Sequence, residues 1–368
     1  MGHVVVAPDK FKGSLTAPEV AAAVARGIQR VRPDVVVHQV PVADGGDGTV
    51  AAALAAGYAP LSTTVHGPTG ELITATIAVK DGVAVVEAAA AGGLSVLPGG
   101  VRQPMTASSY GVGELILLAA DAECSTVVLG VGGSASTDGG AGMVQALGAV
   151  IVDADARPLR PGGGGLASVA AVDLTTLDPR LAGLDVVLAT DVDNPLLGPH
   201  GAAAMFAPQK GADEWQVGLL EAALRTWADL LSPKLVESPG AGAAGGIGFA
   251  ALAVLGATMR PGIDLLLDLV GFAGHLPGAS LVVTGEGSLD EQSLHGKAPI
   301  GVVEMARRAG VPAVAVAGRC LLSRQVLAEA GIAAAYALSG LEPDPARSIA
   351  EADRLLATVA EWIAEDWL

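Results

Sequence analysis

The chain has 368 residues, 51% of them apolar, and carries 21 basic against 38 acidic side chains for a net charge of −17. With only 16% of residues charged, intrinsic disorder is excluded, and the length suits two domains. The acidic balance argues against a nucleic-acid or anionic-membrane surface, since either needs a basic stripe to neutralise phosphates.

In chain order, short β-branched runs alternate with Ala/Leu-rich helical stretches, the pattern of a parallel sheet covered by helices. Met1-Gly2-His3 leads into VVVAPD with no basic-then-apolar leader, so a cytoplasmic location is expected. Strands are predicted at 3–8 and 35–40, and helices at 17–31 and 47–57. From 61 to 90, alternating runs follow one another through the tight turn Lys80-Asp81-Gly82, which predicts antiparallel pairing. Further strands fall at 126–131 and 185–190, with helices at 109–121, 138–148, 212–231 and 243–257. The stretch RPLRPGGGG at 157–165 is a flexible-loop candidate. The uncharged stretch 238–259 is predicted to be a close-packed buried helix, not a membrane span. Strands at 280–285, 312–317 and 333–338 then alternate with helices at 298–309, 322–330 and 346–365. The resulting class is α/β. A doubly wound parallel sheet is expected from 1–60 and 276–368, an inserted mixed α/β domain from 61–275, and the active site in the cleft between them. Two cysteines, Cys124 and Cys320, make no disulfide framework and suit a reducing compartment.

Glycine, at 50 residues, is about twice its usual share. It clusters in ADGGDG (43–48), GVGGSASTDGGAG (130–142), PGGGG (161–165), GAGAAGGIG (240–248) and TGEGSLD (284–290). Glycine between a strand and a helix lets backbone N–H groups approach an anion, so five such runs favour a phosphate-handling enzyme. In GVGGSASTDGGAGM, Ser134, Ser136 and Thr137 can donate to phosphate oxygens, whereas Asp138 would repel them unless a metal stands between. The lone GK pair, Gly296-Lys297, lacks the rest of a Walker A loop. GAGAAG matches a dinucleotide fingerprint and makes an NAD-dependent dehydrogenase the competing class, but no buried strand is predicted before it. The histidines stand singly in the sequence, without zinc-type spacing.

Lysine is scarce, and four of the six fall in compact loops: Lys10 and Lys12 in APDKFKGSLT, Lys210 in FAPQKGA and Lys297 in LHGKAP. An acidic protein that binds polyanions must concentrate cations locally, which makes these four candidates. Ser14 or Thr16 is positioned to cap the first helix. Asp44 and Asp47 flank Gly45 and Gly46 after the second strand, where they can hold substrate hydroxyls or Mg²⁺. Asp191 and Asp193, before Asn194-Pro195, form an acidic turn suited to accepting a hydroxyl proton or ligating Mg²⁺. TGEGSLDEQSLHGKAP ends a strand with Glu286, Ser288 and Asp290 and then supplies Lys297.

Together, APDKFKGSL, PVADGGDGT, GVGGSASTDGGAGM, TDVDNPLLGPHGA, FAPQKGA, GAAGGIG and TGEGSLDEQSLHGKAPIGV resemble the glycerate kinase type I family, in consistent order from Val4 to about Gly318. The resemblance implies a flavodoxin-like domain with an inserted α/β domain, and transfer of the ATP γ-phosphoryl group to D-glycerate. It also implies that Lys12, Gly13, Ser14, Asp44–Gly48, Asp191 and Asn194 surround the cleft, lined by GGSASTDGG and TGEGSLD. Many relatives carry Ser where this chain has Lys10. Catalytic roles are expected for Asp191, Lys12 and Lys297, and substrate contacts for Ser14, Asp44, Gly45, Gly46, Asp47 and Asn194. Nucleotide contacts are expected for Gly132, Gly133, Ser134, Ser136, Thr137, Gly285, Glu286 and Ser288, and metal ligation for Asp138 and Asp290. The expected partners are ATP, Mg²⁺ and D-glycerate, with 2-phosphoglycerate favoured over 3-phosphoglycerate as product. Neither nucleic acid nor membrane is expected, self-association is allowed, and another hydroxy-acid or sugar-acid kinase is the nearest alternative.

Overall fold

The first strand, His3–Pro8, is buried from Val4 through Ala7, as a strand covered on both faces must be. It pairs in parallel with Ala279–Leu289 on one side and Val37–Gln39 on the other. These belong to a five-stranded sheet in the order Ala334–Ala337, Ala313–Cys320, Ala279–Leu289, His3–Pro8, Val37–Gln39, every neighbouring pair parallel. The computed structural model describes residues 2–294 and 296–368, so His295 of the LHGKAP run lies outside the described residues. Its α/β chain divides into two units, one of Met1–Asp44, Ala51–Gly57 and Ile263–Leu368, the other of Gly45–Val50 and Tyr58–Gly262.

In the first unit, the helix Ala17–Val31 opens on a capping box in which Thr16 and Glu19 satisfy each other's backbone amides. Its apolar stripe (Val20, Val24, Ile28) packs with Leu355, Leu356 and Val359 of the helix Ala352–Trp367 on one face of the sheet. A Cβ at Gly27 would sit 2.1 Å from the Ala357 carbonyl, so the crossing of these helices requires glycine. The helix Ala298–Arg308 covers the opposite face, with Val302, Val303 and Ala306 in a core shared with Ile263, Leu266 and Phe272. The helix Gly262–Leu269, in the stretch expected within the insert, thus contributes to this core instead. Chain leaving His3–Pro8 and chain leaving Ala279–Leu289 therefore turn to opposite faces, which makes the boundary between these strands a topological switch point.

The second unit is built on a six-stranded sheet in the order Thr258–Arg260, Asp185–Ala189, Thr126–Gly130, Val83–Glu87, Leu72–Lys80, Ala59–His66. Only the last two pairings are antiparallel. The hairpin turn works because Asp81 and Gly82 both take positive φ, 50° and 76°, as a two-residue turn of matching twist demands. Trp227 of the helix Glu214–Leu231 is fully buried and donates its indole N–H to the Gly139 carbonyl at 2.9 Å.

The structure departs from expectation at several points. Only the glycine end of the loop candidate 157–165 is packed: Gly163 and Gly165 are buried in a short helix, where a Cβ would lie 2.2 Å from the Thr137 carbonyl and 1.9 Å from the Arg160 carbonyl, whereas 157–161 lies outside any helix or named strand and is largely exposed. The helix predicted at 346–365 is broken into Pro345–Ala350 and Ala352–Trp367. The stretch 238–259 holds the helix Ala243–Val254, which starts with left-handed backbone at Ala244, Gly245 and Gly246. Among the described residues no helix is long and apolar enough to cross a membrane. Three histidines that stand apart in sequence meet in the fold: the His38 ring lies 4.7 Å from that of His3 and 5.3 Å from that of His275.

Replacing Trp227 with Ala should destabilise the protein by about 3–5 kcal/mol, the usual cost of emptying a large buried aromatic site. Urea unfolding measures this, and a loss below about 1 kcal/mol would show that Trp227 does not support the Gly139 segment.

Candidate active site

Ligands in open parallel sheets bind beyond the carboxyl ends of strands, at the switch point. Three acids meet there in the first unit. Asp9 directly follows His3–Pro8, its amide donating to the Gly285 carbonyl at 2.8 Å. Glu286 extends the neighbouring strand, and Asp44 ends the segment after Val37–Gln39. Burial, with Asp44 and then Glu286 as like charges, pushes the Asp9 carboxyl up to about 7, against the opposing pull of the Lys10 amide and ammonium. Burial likewise raises Glu286, whose Oε1 is buried without a hydrogen-bond partner. Its Oε2 faces the Lys297 ammonium at 3.9 Å. Lys297 is half-buried at the N-cap of Ala298–Arg308. Asp9 was not among the sequence candidates, although it stands inside the APDKFKGSLT motif. Its distinguishing property is burial beside two acids, which only the folded sheet creates.

Other candidates of this unit have structural work. The Ser14 hydroxyl donates to the Ile349 carbonyl at 2.8 Å, and Thr16 is the helix cap. Lys12 is exposed. A Cβ at Gly285 would lie 2.1 Å from the Val316 carbonyl, so sheet packing already accounts for this glycine. Ser288 accepts from the Arg319 Nε at 3.0 Å and donates to Asp290, whose other oxygen accepts from the Gln292 amide at 3.0 Å.

A second group gathers at the carboxyl ends of Val83–Glu87, Thr126–Gly130 and Asp185–Ala189. Glu87, which the sequence did not single out, accepts from the amides of Gly48 and Val50 at 3.0 and 2.6 Å and so anchors the GGDG segment. A Cβ at Gly132 would lie 2.6 Å from the Gly46 Cα, so this approach of the two loops requires glycine at 132. Asp47 and Gly133 are exposed, and Gly132 is half-buried. Asp191 is exposed and accepts from the Gly262 amide at 2.9 Å. The Asn194 side-chain amide donates to the His200 carbonyl at 2.7 Å, which fixes the turn.

The SAST loop differs from the expected cradle. Ser134 keeps slight exposure, but Ser136 and Thr137 have none, so a direct contact from either to a nucleotide does not fit this conformation. Asp138 is buried, and its carboxylate accepts from the amides of Ser109, Gly140 and Gly142 and from the Ser109 hydroxyl, at 2.8–3.3 Å. These bonds make Asp138 a fastener of the loop and occupy the oxygens a metal would need. Lys210, expected in a compact loop as a cation for a polyanion, is buried and donates to the Ser134 hydroxyl at 2.9 Å.

Among the described residues no group of three or more His, Cys, Asp or Glu is arranged to hold a metal ion. Mg²⁺ in phosphoryl-transfer sites needs only one or two carboxylates besides the nucleotide's own oxygens. The unpartnered Glu286 Oε1 fits that requirement, and the half-buried Asp290, each of whose oxygens accepts a single hydrogen bond where Asp138 accepts four in all, keeps lone pairs for it. The GAGAAG stretch does not fit a dinucleotide: a three-residue turn, Pro233–Leu235, precedes it where a strand is required.

The glycerate kinase family model matches residues 4–368, and the chain belongs to that family. It is an ATP-dependent kinase. A protein of Escherichia coli (strain K12) named glycerate 2-kinase is 42% identical over 91% of this chain and 90% of its own length. The glycerate kinase of Halalkalibacterium halodurans is 38% identical over 99% and 98%. A crystal structure described as glycerate kinase 2 of Salmonella typhimurium LT2 superposes with a TM-score of 0.85 at 38% identity, over 99% of this chain and 98% of that one.

The raised Asp9 carboxyl ties stability to pH. Relative to the unfolded chain, its contribution is intact below about pH 4 and is lost as pH rises through about 7, where the buried group must ionise. Asp9→Asn keeps an acceptor for the Lys10 amide and removes that cost. Urea titrations should find the variant more stable than wild type by about 2 kcal/mol at pH 8, after discounting for residual solvent access, with little gain at pH 4.5. An equal margin at both pH values would contradict the placement of Asp9.

Proposed function

We propose that this kinase phosphorylates the 2-hydroxyl of D-glycerate, giving 2-phosphoglycerate. The observation that carries the substrate class is the set of acids at the switch point beside Lys297: the acids accept from hydroxyls, and the ammonium meets a carboxylate or phosphate. The preference for the 2-position is supported by the name of the Escherichia coli relative. A cytoplasmic location agrees with two cysteines that remain free thiols.

Phosphoryl transfer through a loose transition state depends on positioning and charge neutralisation. In our reading Lys12 and Lys297 hold the glycerate carboxylate and the transferred phosphoryl group, while Asp44 or Asp47 accepts from the hydroxyl that does not react. Gly132, Gly133 and Ser134 receive the nucleotide, with Gly45 and Gly46 packed beside them. Glu286 or Asp290, together with the nucleotide, would hold Mg²⁺, which when bound would neutralise phosphate charge. Asp191 orients the attacking hydroxyl or takes its proton. Asp9 is a second reading for the proton acceptor, favoured by a carboxyl poised near 7, where a general base is most effective.

Incubation with ATP, Mg²⁺ and D-glycerate followed by ³¹P NMR should give the 2-phosphoglycerate resonance, and a 3-phosphoglycerate signal would reject the regiochemistry. Asp191→Asn should lower kcat by roughly 10²- to 10⁴-fold, on the scale of general-base removal. Near-normal turnover in that variant, together with a lost alkaline-rising limb in Asp9→Asn, would move the role to Asp9.

A further inference from the structure

Among the described residues Lys210 is the one buried lysine, at 2% exposure. It closes the turn Pro208–Lys210, and its ammonium donates to the Ser134 hydroxyl at 2.9 Å and to the Ser136 carbonyl at 2.5 Å. The space above it is closed by Gly245, where a Cβ would lie 2.9 Å from the Lys210 Nζ and 2.1 Å from the Ser136 oxygen. The bonds it makes are to neutral oxygens. The charged group that bears on it is Asp138, whose oxygens already accept four hydrogen bonds from Ser109, Gly140 and Gly142. The helix Ala243–Val254, which packs over the loop, carries no titratable side chain, and Arg102 lies beside the following residue, Gly211. Two more polar groups of the loop, the Ser136 and Thr137 hydroxyls, are buried without partners. A buried cation set against one short loop that carries two orphaned hydroxyls is costly, and such costs are retained where a loop must hold a particular shape.

We propose that Lys210 is a positioning residue: it ties Ser134 and the Ser136 carbonyl together so that the 132–137 loop holds the shape that receives the nucleotide's phosphates. This rests on the assignment of that loop to the nucleotide. Burial draws the Lys210 ammonium down to about 7, with Asp138 opposing, so near neutral pH a sizeable fraction is uncharged. A neutral amine still has two N–H donors and keeps the loop tied. A polyphosphate arriving at the loop favours the charged form, so nucleotide binding draws a proton onto Lys210.

The test compares full-length wild type with Lys210→Met and Lys210→Arg. Hydrogen exchange of the 132–139 amides is measured without ligand, and calorimetric titration of ATP follows at pH 7.5 in buffers of differing ionisation heat. Exchange in Lys210→Met should quicken about 10-fold or more, and its KM for ATP should rise about 10-fold with kcat changed much less. Wild type should take up several tenths of a proton more per ATP than Lys210→Arg, a difference in which ATP's own protonation cancels. Wild-type exchange and wild-type KM in Lys210→Met would overturn the proposal. If Lys210→Met does not fold, equal proton uptake by wild type and Lys210→Arg overturns it instead. Loss of loop protection in Lys210→Met, with an ATP KM left untouched, would reject the nucleotide assignment of the loop while upholding the positioning role.

Discussion

The pairing of His3–Pro8 with Ala279–Leu289 is the constraint on which the first unit depends. It joins strands remote in sequence, and the crossovers from them leave to opposite faces, each face closed by its own apolar core. Parallel alignment puts the carboxyl ends of both strands on one edge, and with them Asp9 and Glu286. Partial burial of such acids beside one another is unfavourable, as the raised Asp9 carboxyl records. The cores on either face offset that cost and hold the acids in place.

Much of this architecture is legible in the sequence. The helix Ala17–Val31 is marked by its apolar stripe and by Thr16 three residues before Glu19. The hairpin at Asp81-Gly82 is marked by the residue types that tolerate positive φ. Less legible are Val150–Val152, Ala171–Asp173, Thr258–Arg260 and Ala202–Phe206, which are too short to repeat their period. Within the candidate site, the motifs marked the loops but not which side chains would be buried in them. Asp9, Glu87 and Lys210 owe their character to neighbours distant along the chain, and no local pattern encodes such burial.

Glycine carried a double meaning. A run of glycines signals that something must come close, and an anion and another stretch of backbone leave the same mark. At Gly163, Gly245 and Gly285 the nearest approach is a carbonyl of the chain itself. Gly132 lies against Gly46 in the same way, so two glycine loops brace each other. Asp138 extends the pattern: its carboxylate takes up amides at the start of the following helix that could otherwise have met a phosphate.

The long-range pairing also bears on biosynthesis. On the ribosome, the apolar first strand can join Val37–Gln39 early, but its other edge stays open until Ala279–Leu289 emerges, after the whole of the second unit has been translated. Throughout that interval the nascent chain exposes an unpaired strand edge of Val4, Val5 and Val6, the kind of surface on which trigger-type chaperones and misassembly compete.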